Sequence, residues 1–310
     1  MIEVKKLTKS FGKIRAVDSV SFNVEKGEIL GFLGPNGAGK STTMRMITGF
    51  LPPTSGTAVI GGYDISDESI SARERIGYLP ENAPVYPDMT VNAYLDFCAE
   101  IRGFSGSERK KKVEETVDRC FLSNVEFQTI GTLSKGYRQR VCFAQSIIHD
   151  PEYLIFDEPT DGLDPNQKHE VRMMMREMSE QKAILLSTHI LDEVEAVCTR
   201  IIIIANGCIV ADDSPEHLKT RSSLHGAVTL KVADSNEQAV KALLEGIEDV
   251  KGVEILEMQN DVLNLRAYPV DGRTPIADKI IAACREKKYS ITGLFVEQGR
   301  LDEVFRNITT

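Results

Sequence analysis

The chain has 310 residues, a formal net charge of −9 and charged residues making up 27% of the total. That length exceeds one ordinary core and suits a large domain plus a small one. The acidic balance argues against a protein that holds DNA or RNA by neutralising phosphates, so no nucleic-acid partner is expected.

The amino-terminal stretch MIEVKKLTKSFG alternates like a strand and lacks the apolar segment of a secretory signal. GEILGFLG, residues 27–34, reads as the next clear strand. It runs into GPNGAGKST, from Gly34 through Pro35, Asn36, Gly37, Ala38, Gly39, Lys40 and Ser41 to Thr42, with the helical STTMRMITGF following. The spacing G-x-x-x-x-G-K-[ST] between a strand and a helix is that of a phosphate loop. Its glycines let successive N–H groups face a concavity, and the helix adds its positive end. Lys40 is placed to reach the β- and γ-phosphates of a nucleotide, and Ser41 to ligate Mg2+.

Farther on, GYLPENAP carries Glu81, and LSKGYRQR (Leu133–Arg140) opens a helix with Ser134 at the capping position. EYLIFDE, residues 152–158, is an apolar strand that delivers Asp157 and Glu158 at its end. There one carboxylate can meet a metal while the other orients or deprotonates water. The helix PNQKHEVRMMMREMSE follows, and its methionines read as core filler rather than a cofactor box. KAILLSTH at 182–189 ends on His189, and TRIIIIANG at 199–207 is another near-continuous apolar run of the kind found in sheets covered on both faces. RIIIIAN is the longest aliphatic run, far below the roughly 20 apolar residues that span a bilayer. A membrane function would need another chain to supply the span. The six cysteines, at 98, 120, 142, 198, 208 and 284, show no C-x-x-C spacing, which suits reduced, cytosolic thiols.

Apolar periodicity lapses before residue 227, and the expected organisation is a domain at 1–215, a linker at 216–226 and a small domain at 227–310. In the last, AVTLKV alternates and NEQAVKALLEGI is helical. VEILEMQNDVLNLRAYP reads as a hairpin around Gln259, Asn260 and Asp261, TPIADKIIAACREKK as a helix and YSITGLFVEQ as a strand. The order βαββαβ predicts a ferredoxin-like α+β sandwich. A last helix, LDEVFRNI, spaces Leu301, Val304, Phe305 and Ile308 on one face.

Together GPNGAGKST, GYLPENAP, LSKGYRQR, YLIFDEP, the turn DGLDP and STH resemble, in order over about residues 1–220, the ATP-binding subunits of ABC transporters. The resemblance implies an α/β fold of the ABC-type P-loop NTPase, with a mixed sheet core, antiparallel strands and a helical subdomain. It implies ATP and Mg2+ as ligands. Phe11 would stack on adenine, and Lys40 and the loop backbone would bind phosphates. Ser41, Asp157 and Glu81 would hold Mg2+. Glu158 would be the catalytic base and His189 the γ-phosphate contact. Ser134 and Gly136 would close over the ATP of a second, identical subunit in a head-to-tail pair, with Asp164 in the turn linking the two sites.

Two departures from the family's pattern stand out. The signature LSGGQ is here LSKGY, with Lys135 and Tyr137 as the changes, and the switch position, usually Gln, is Glu81. The stretch YLPENAPVYPDMTVNAYLDF and the appendage ending LDEVFRNIT are similar to exporters related to gliding-motility and drug-resistance ATPases, whose membrane chains are separate. Such a subunit would be cytoplasmic and peripheral on the inner face of the membrane, with residues 81–105 receiving a permease helix. A soluble mechanical ATPase of the same superfamily is the alternative. Those chains usually carry a long coiled coil or two nucleotide domains, and neither pattern is present.

Overall fold

Alternating apolar residues in the first 24 positions form two antiparallel strands, β1 (Ile2–Phe11) and β2 (Ile14–Val24), with Ile2 opposite Val24 and Phe11 opposite Ile14. This computed structural model describes residues 1–310 except 83, 234, 235, 260, 273 and 310. Strand β3 (Ile29–Leu33) is buried at every residue and leads through the glycine loop into α1 (Lys40–Ile47). Strands β4 (Ser55–Ile60) and β5 (Tyr63–Asp64) complete a four-stranded sheet in the order β2-β1-β4-β5.

After α2 (Ser69–Glu74) and β6 (Ile76–Leu79) the chain turns helical, with α3 (Val91–Ile101), α4 (Gly106–Arg119) and α5 (Lys135–Ile147). Strand β7 (Tyr153–Asp157), α6 (Pro165–Ser179), β8 (Ala183–Thr188), α7 (Leu191–Val197), β9 (Arg200–Ala205) and β10 (Cys208–Asp213) follow. The second sheet has the order β10-β9-β3-β8-β7-β6. Its strands are parallel apart from the β9/β10 hairpin at one edge. Because β3, β8 and β7 are neighbours and parallel, the loops that leave their carboxyl ends converge, the usual place for a ligand site in such sheets.

Val4, Leu7, Val20, Leu30, Phe32, Met44 and Ile202 belong to one buried cluster that includes residues of both sheets and α1. Each large side chain so buried is worth roughly 1.5–3 kcal/mol. On α6, Met174, Met175 and Met178 are buried while Met173 is half exposed, as packing methionines should be. All six cysteines are free thiols. Among the described residues no helix is long and apolar enough to cross a membrane.

The chain divides into two compact units, Met1–Ser214 and Pro215–Ile308. The second contains α8 (Pro215–Lys219), β11 (Val228–Ala233), α9 (Glu237–Glu245), β12 (Val250–Gln259), β13 (Val262–Pro269), α10 (Ala277–Glu286), β14 (Ser290–Val296) and α11 (Leu301–Thr309). Its strands, all antiparallel, lie in the order β12-β13-β11-β14, the ferredoxin-like arrangement expected from βαββαβ. Val228, Leu230, Val240, Leu263, Leu265 and Ile280 form this unit's own core. The turn residue Asn260 of the β12/β13 hairpin lies outside the described residues.

Residues 216–226, expected as a linker, carry local structure. Pro215 starts α8, where its missing N–H is no loss, and Leu218 is fully buried. Turn hydrogen bonds then run from Ser222 N–H to Lys219 C=O at 3.0 Å and from His225 N–H to Ser222 C=O at 3.0 Å. On α11, Leu301 and Val304 are buried and Phe305 and Ile308 partly so, on the face that their spacing defines.

Candidate functional site

The loop after β3 must bend sharply enough to bring its amides together, and Gly39 permits this with φ of 108°. A Cβ there would also sit 2.6 Å from the Ala16 carbonyl oxygen. Lys40, only 7% exposed, is held by the carbonyls of Gly34 at 2.7 Å and Pro35 at 3.2 Å. Burial pulls its ammonium below the ordinary lysine value, opposed by the negative charges of Glu158, Asp157 and Glu81.

At the end of β7, Asp157 is 1% exposed, and its Oδ1 accepts from Ser41 Oγ at 3.3 Å and from the Ser187 hydroxyl. Its Oδ2 is buried with no hydrogen-bond partner. A buried carboxylate oxygen without a donor is costly unless a cation answers it. Ser41 Oγ and the Asp157 carboxylate are hard oxygen donors of the type Mg2+ takes, one or two from protein and the rest from phosphate and water. The residues present therefore fit a Mg2+-nucleotide, and Glu81 in the same cavity adds a third candidate ligand.

Glu158 has φ of 53°, left-handed for a residue with a Cβ, a conformation that costs about 1–2 kcal/mol. Its carboxylate receives His189 Nδ1–H at 2.9 Å and the Thr188 hydroxyl at 3.3 Å. Burial raises its pKa above the ordinary carboxylate value, partly offset by the hydrogen bond from His189. Behind the pair, Glu193 is 2% exposed and accepts from Thr160 Oγ, from Lys168 Nζ at 2.9 Å and from Thr188 Oγ at 3.1 Å. It ties the loop after Glu158 to the strand end before His189.

A cavity of about 450 Å³ opens over these groups, lined by Asn36, Gly37, Gly39, Lys40, Ser41, Thr42, Glu81, Glu158 and His189. Gly34 and Pro35 take part through their carbonyls, Ala38 is buried in the loop, and Asp157 stands behind Ser41. Two lining residues, Ala16 and Asp161, were not singled out from the sequence. Asp161 falls inside the quoted turn DGLDP and was within reach of that signal.

Phe11, half exposed at the end of β1 with the Lys9 ammonium 5.3 Å from its ring centre, is not among the lining residues. Neither are Ser134, Gly136 and Asp164. Ser134 caps α5 by accepting Tyr137 N–H at 3.4 Å, and Asp164 caps α6 in a reciprocal box with Gln167. Gly136 has a packing reason of its own, because a Cβ there would lie 2.3 Å from Gln167 Oε1. In the switch segment, Ala83 lies outside the described residues.

Residues 17–161 match the ABC transporter family. The linearmycin resistance ATP-binding protein LnrL of Bacillus subtilis (strain 168) is 31% identical over 312 residues, covering 100% of this chain and 98% of that protein. The probable multidrug ABC transporter ATP-binding protein YbhF of Escherichia coli (strain K12) is 38% identical over 224 residues, 72% of this chain and 39% of that longer relative. Among solved structures, a dimeric ATP-binding cassette in a post-hydrolysis state, bound to ADP and Pi, superposes with a TM-score of 0.64. It is 25% identical and the match covers 69% of this chain and 98% of that one.

Proposed function

The chain belongs to the ABC transporter family of ATP-binding proteins, and from that premise we propose that it is the ATP-hydrolysing subunit of an exporter whose membrane-spanning subunits are separate chains. The observation that carries this reading is one cavity onto which three things converge. They are the Lys40 loop, the Ser41 hydroxyl against a half-satisfied Asp157, and a Glu158–His189 pair at 2.9 Å.

In this reading the amides from Gly34 to Thr42 and the Lys40 ammonium hold the β- and γ-phosphates. Ser41, Asp157 and Glu81 would hold Mg2+, which when bound would neutralise charge on the phosphates. Glu158 accepts a proton from water as the water oxygen bonds to the γ-phosphorus and the bridging P–O bond to ADP breaks. Burial raises its pKa above the ordinary carboxylate value, which makes the carboxylate a stronger base toward that water. His189, oriented by Glu158, contacts the γ-phosphate, and Phe11 stacks on adenine.

Ser134 and Gly136 serve the nucleotide of a second copy, with Asp164 between the two sites. Their location away from the chain's own cavity supports that assignment, as does the dimeric form of the superposed cassette. A relative named for linearmycin resistance and another named as the ATP-binding protein of a probable multidrug transporter support export. The protein then sits on the inner face of the cell membrane through its permease. Residues 81–105 receive the permease helix, where Tyr86 and Ile101 are 55% and 68% exposed.

The test is Glu158→Gln. It should keep ATP binding, lose roughly 10²- to 10⁴-fold in turnover, and elute as a dimer with ATP and Mg2+. A variant that binds ATP yet elutes as a monomer under those conditions overturns the paired-site reading.

A further inference from the structure

Lys135 stands where the family's signature has glycine, and Glu81 where its switch has glutamine. The chain thus gains one positive and one negative charge relative to that pattern. The structure gives Lys135 a partner: its Nζ lies 2.7 Å from Asp161 Oδ2, in the same chain. The contact is not a chance reach of a long side chain into solvent. Lys135 Cδ, Cε and Nζ lie only 2.4–2.6 Å from where a Cβ on Gly162 would be, so its stem runs tight across the turn that carries Asp161. Gln139, one helical turn on, donates to the Pro159 carbonyl at 3.2 Å. The first turns of α5 are therefore stitched to the 158–162 segment at two points.

What the pair does follows from where Asp161 lies. It lines the same cavity as Glu81 and Glu158, with Asp157 just behind, while Lys40 is the one lysine among the lining residues. A triphosphate is a polyanion, and each uncancelled carboxylate in that wall opposes it. An ion pair with 61% and 54% exposed side chains adds little to folding, about 0–1 kcal/mol. Its effect on the potential inside the cavity is a separate matter, because the lysine charge cancels that of Asp161 at short range.

We propose that Lys135 is a positioning and charge-balancing residue of its own subunit's nucleotide pocket: by holding Asp161 it cancels one negative charge in the wall and offsets the carboxylate that Glu81 adds. This rests on the reading of the cavity as an ATP site. It also makes the two departures from the family's pattern parts of one arrangement, linked through Asp161, although they lie far apart in the sequence.

Full-length wild type, Lys135→Met, Lys135→Arg, Asp161→Asn and the Lys135→Met/Asp161→Asn double variant test it by steady-state ATPase kinetics. Lys135→Met should raise KM for Mg-ATP about fivefold with kcat nearly unchanged, and the ratio should shrink at about 1 M salt, where the Debye length is about 3 Å. Lys135→Arg should behave as wild type, and the double variant should return KM to near the wild-type value. Should Lys135→Met fail to fold, Lys135→Gln takes its place, with the same rise in KM expected and an unchanged KM overturning the proposal. Unchanged KM in Lys135→Met, a loss confined to kcat, or no rescue in the double variant overturns the proposal while the ATP site stands. A wild type that neither binds nor hydrolyses ATP overturns the site reading itself.

Discussion

Glu158 accepts two costs that a structural residue in its place would avoid, a left-handed backbone and a carboxylate buried deeply enough to raise its pKa. Both are usual where geometry serves chemistry rather than stability. The sign of the raised pKa gives two expectations. In the role proposed for Glu158, proton abstraction needs the ionised form, so the acid limb of kcat/KM should fall at a pH above the ordinary value of 4.5. For stability, a carboxylate whose folded pKa exceeds its unfolded one binds its proton more tightly when folded. That contribution is fully present below the unfolded pKa and is lost as pH rises through the folded one. The ionised Glu158 carboxylate is therefore costly to the fold as pH rises, and Glu158→Gln removes that cost. Thermal melts should place the variant's Tm above wild type at pH 7, by about 2–4 °C for each kcal/mol relieved, with the gap closing near pH 4. A lower Tm at pH 7 would mean that the hydrogen bond from His189 outweighs burial, and the raised pKa would be wrong.

At the scale of an element, the start of α5 is a local cap for which a second role is proposed above. Its cap, Ser134, makes only a long bond of 3.4 Å to Tyr137 N–H, worth at most about 1 kcal/mol, so capping alone is a weak reason for serine. Substitution separates the roles. Aspartate caps as well as serine does and also suits the positive end of a helix, so Ser134→Asp should melt within about 1 °C of wild type. Yet it puts a negative charge on the surface proposed to meet a second subunit's triphosphate. ATP-driven dimerisation of the Glu158→Gln background should then be lost when Ser134→Asp is added, as read by sizing chromatography with ATP and Mg2+. A Ser134→Asp chain that still dimerises on ATP would return Ser134 to a purely local cap.

For the whole molecule, legibility depended on how far apart cooperating residues lie. The phosphate loop, the Asp157/Glu158 pair and His189 each sit at a strand end, so local pattern and spacing revealed them, and parallel β3, β8 and β7 then brought them together. Lys135 with Asp161, Gly136 with Gln167 and Glu193 with Thr160 are contacts across 26 to 33 positions, and no local pattern announces them. In residues 216–226 the serines and charges around Leu218 hid a short helix with a buried leucine. The larger division was readable because each part has its own strands and core, and this supports a last expectation. Every residue lining the nucleotide cavity falls between Ala16 and His189, and the apolar clusters of the two units share no residue. A chain ending at Ser214 should therefore fold cooperatively and bind Mg-ADP within about threefold of the full-length affinity, as measured by calorimetry. Loss of Mg-ADP binding in a truncated chain that retains its circular dichroism would show that the second unit shapes the nucleotide site. Unaltered binding would instead confine that unit's part to steps after nucleotide capture, where the dimer forms or the permease is engaged.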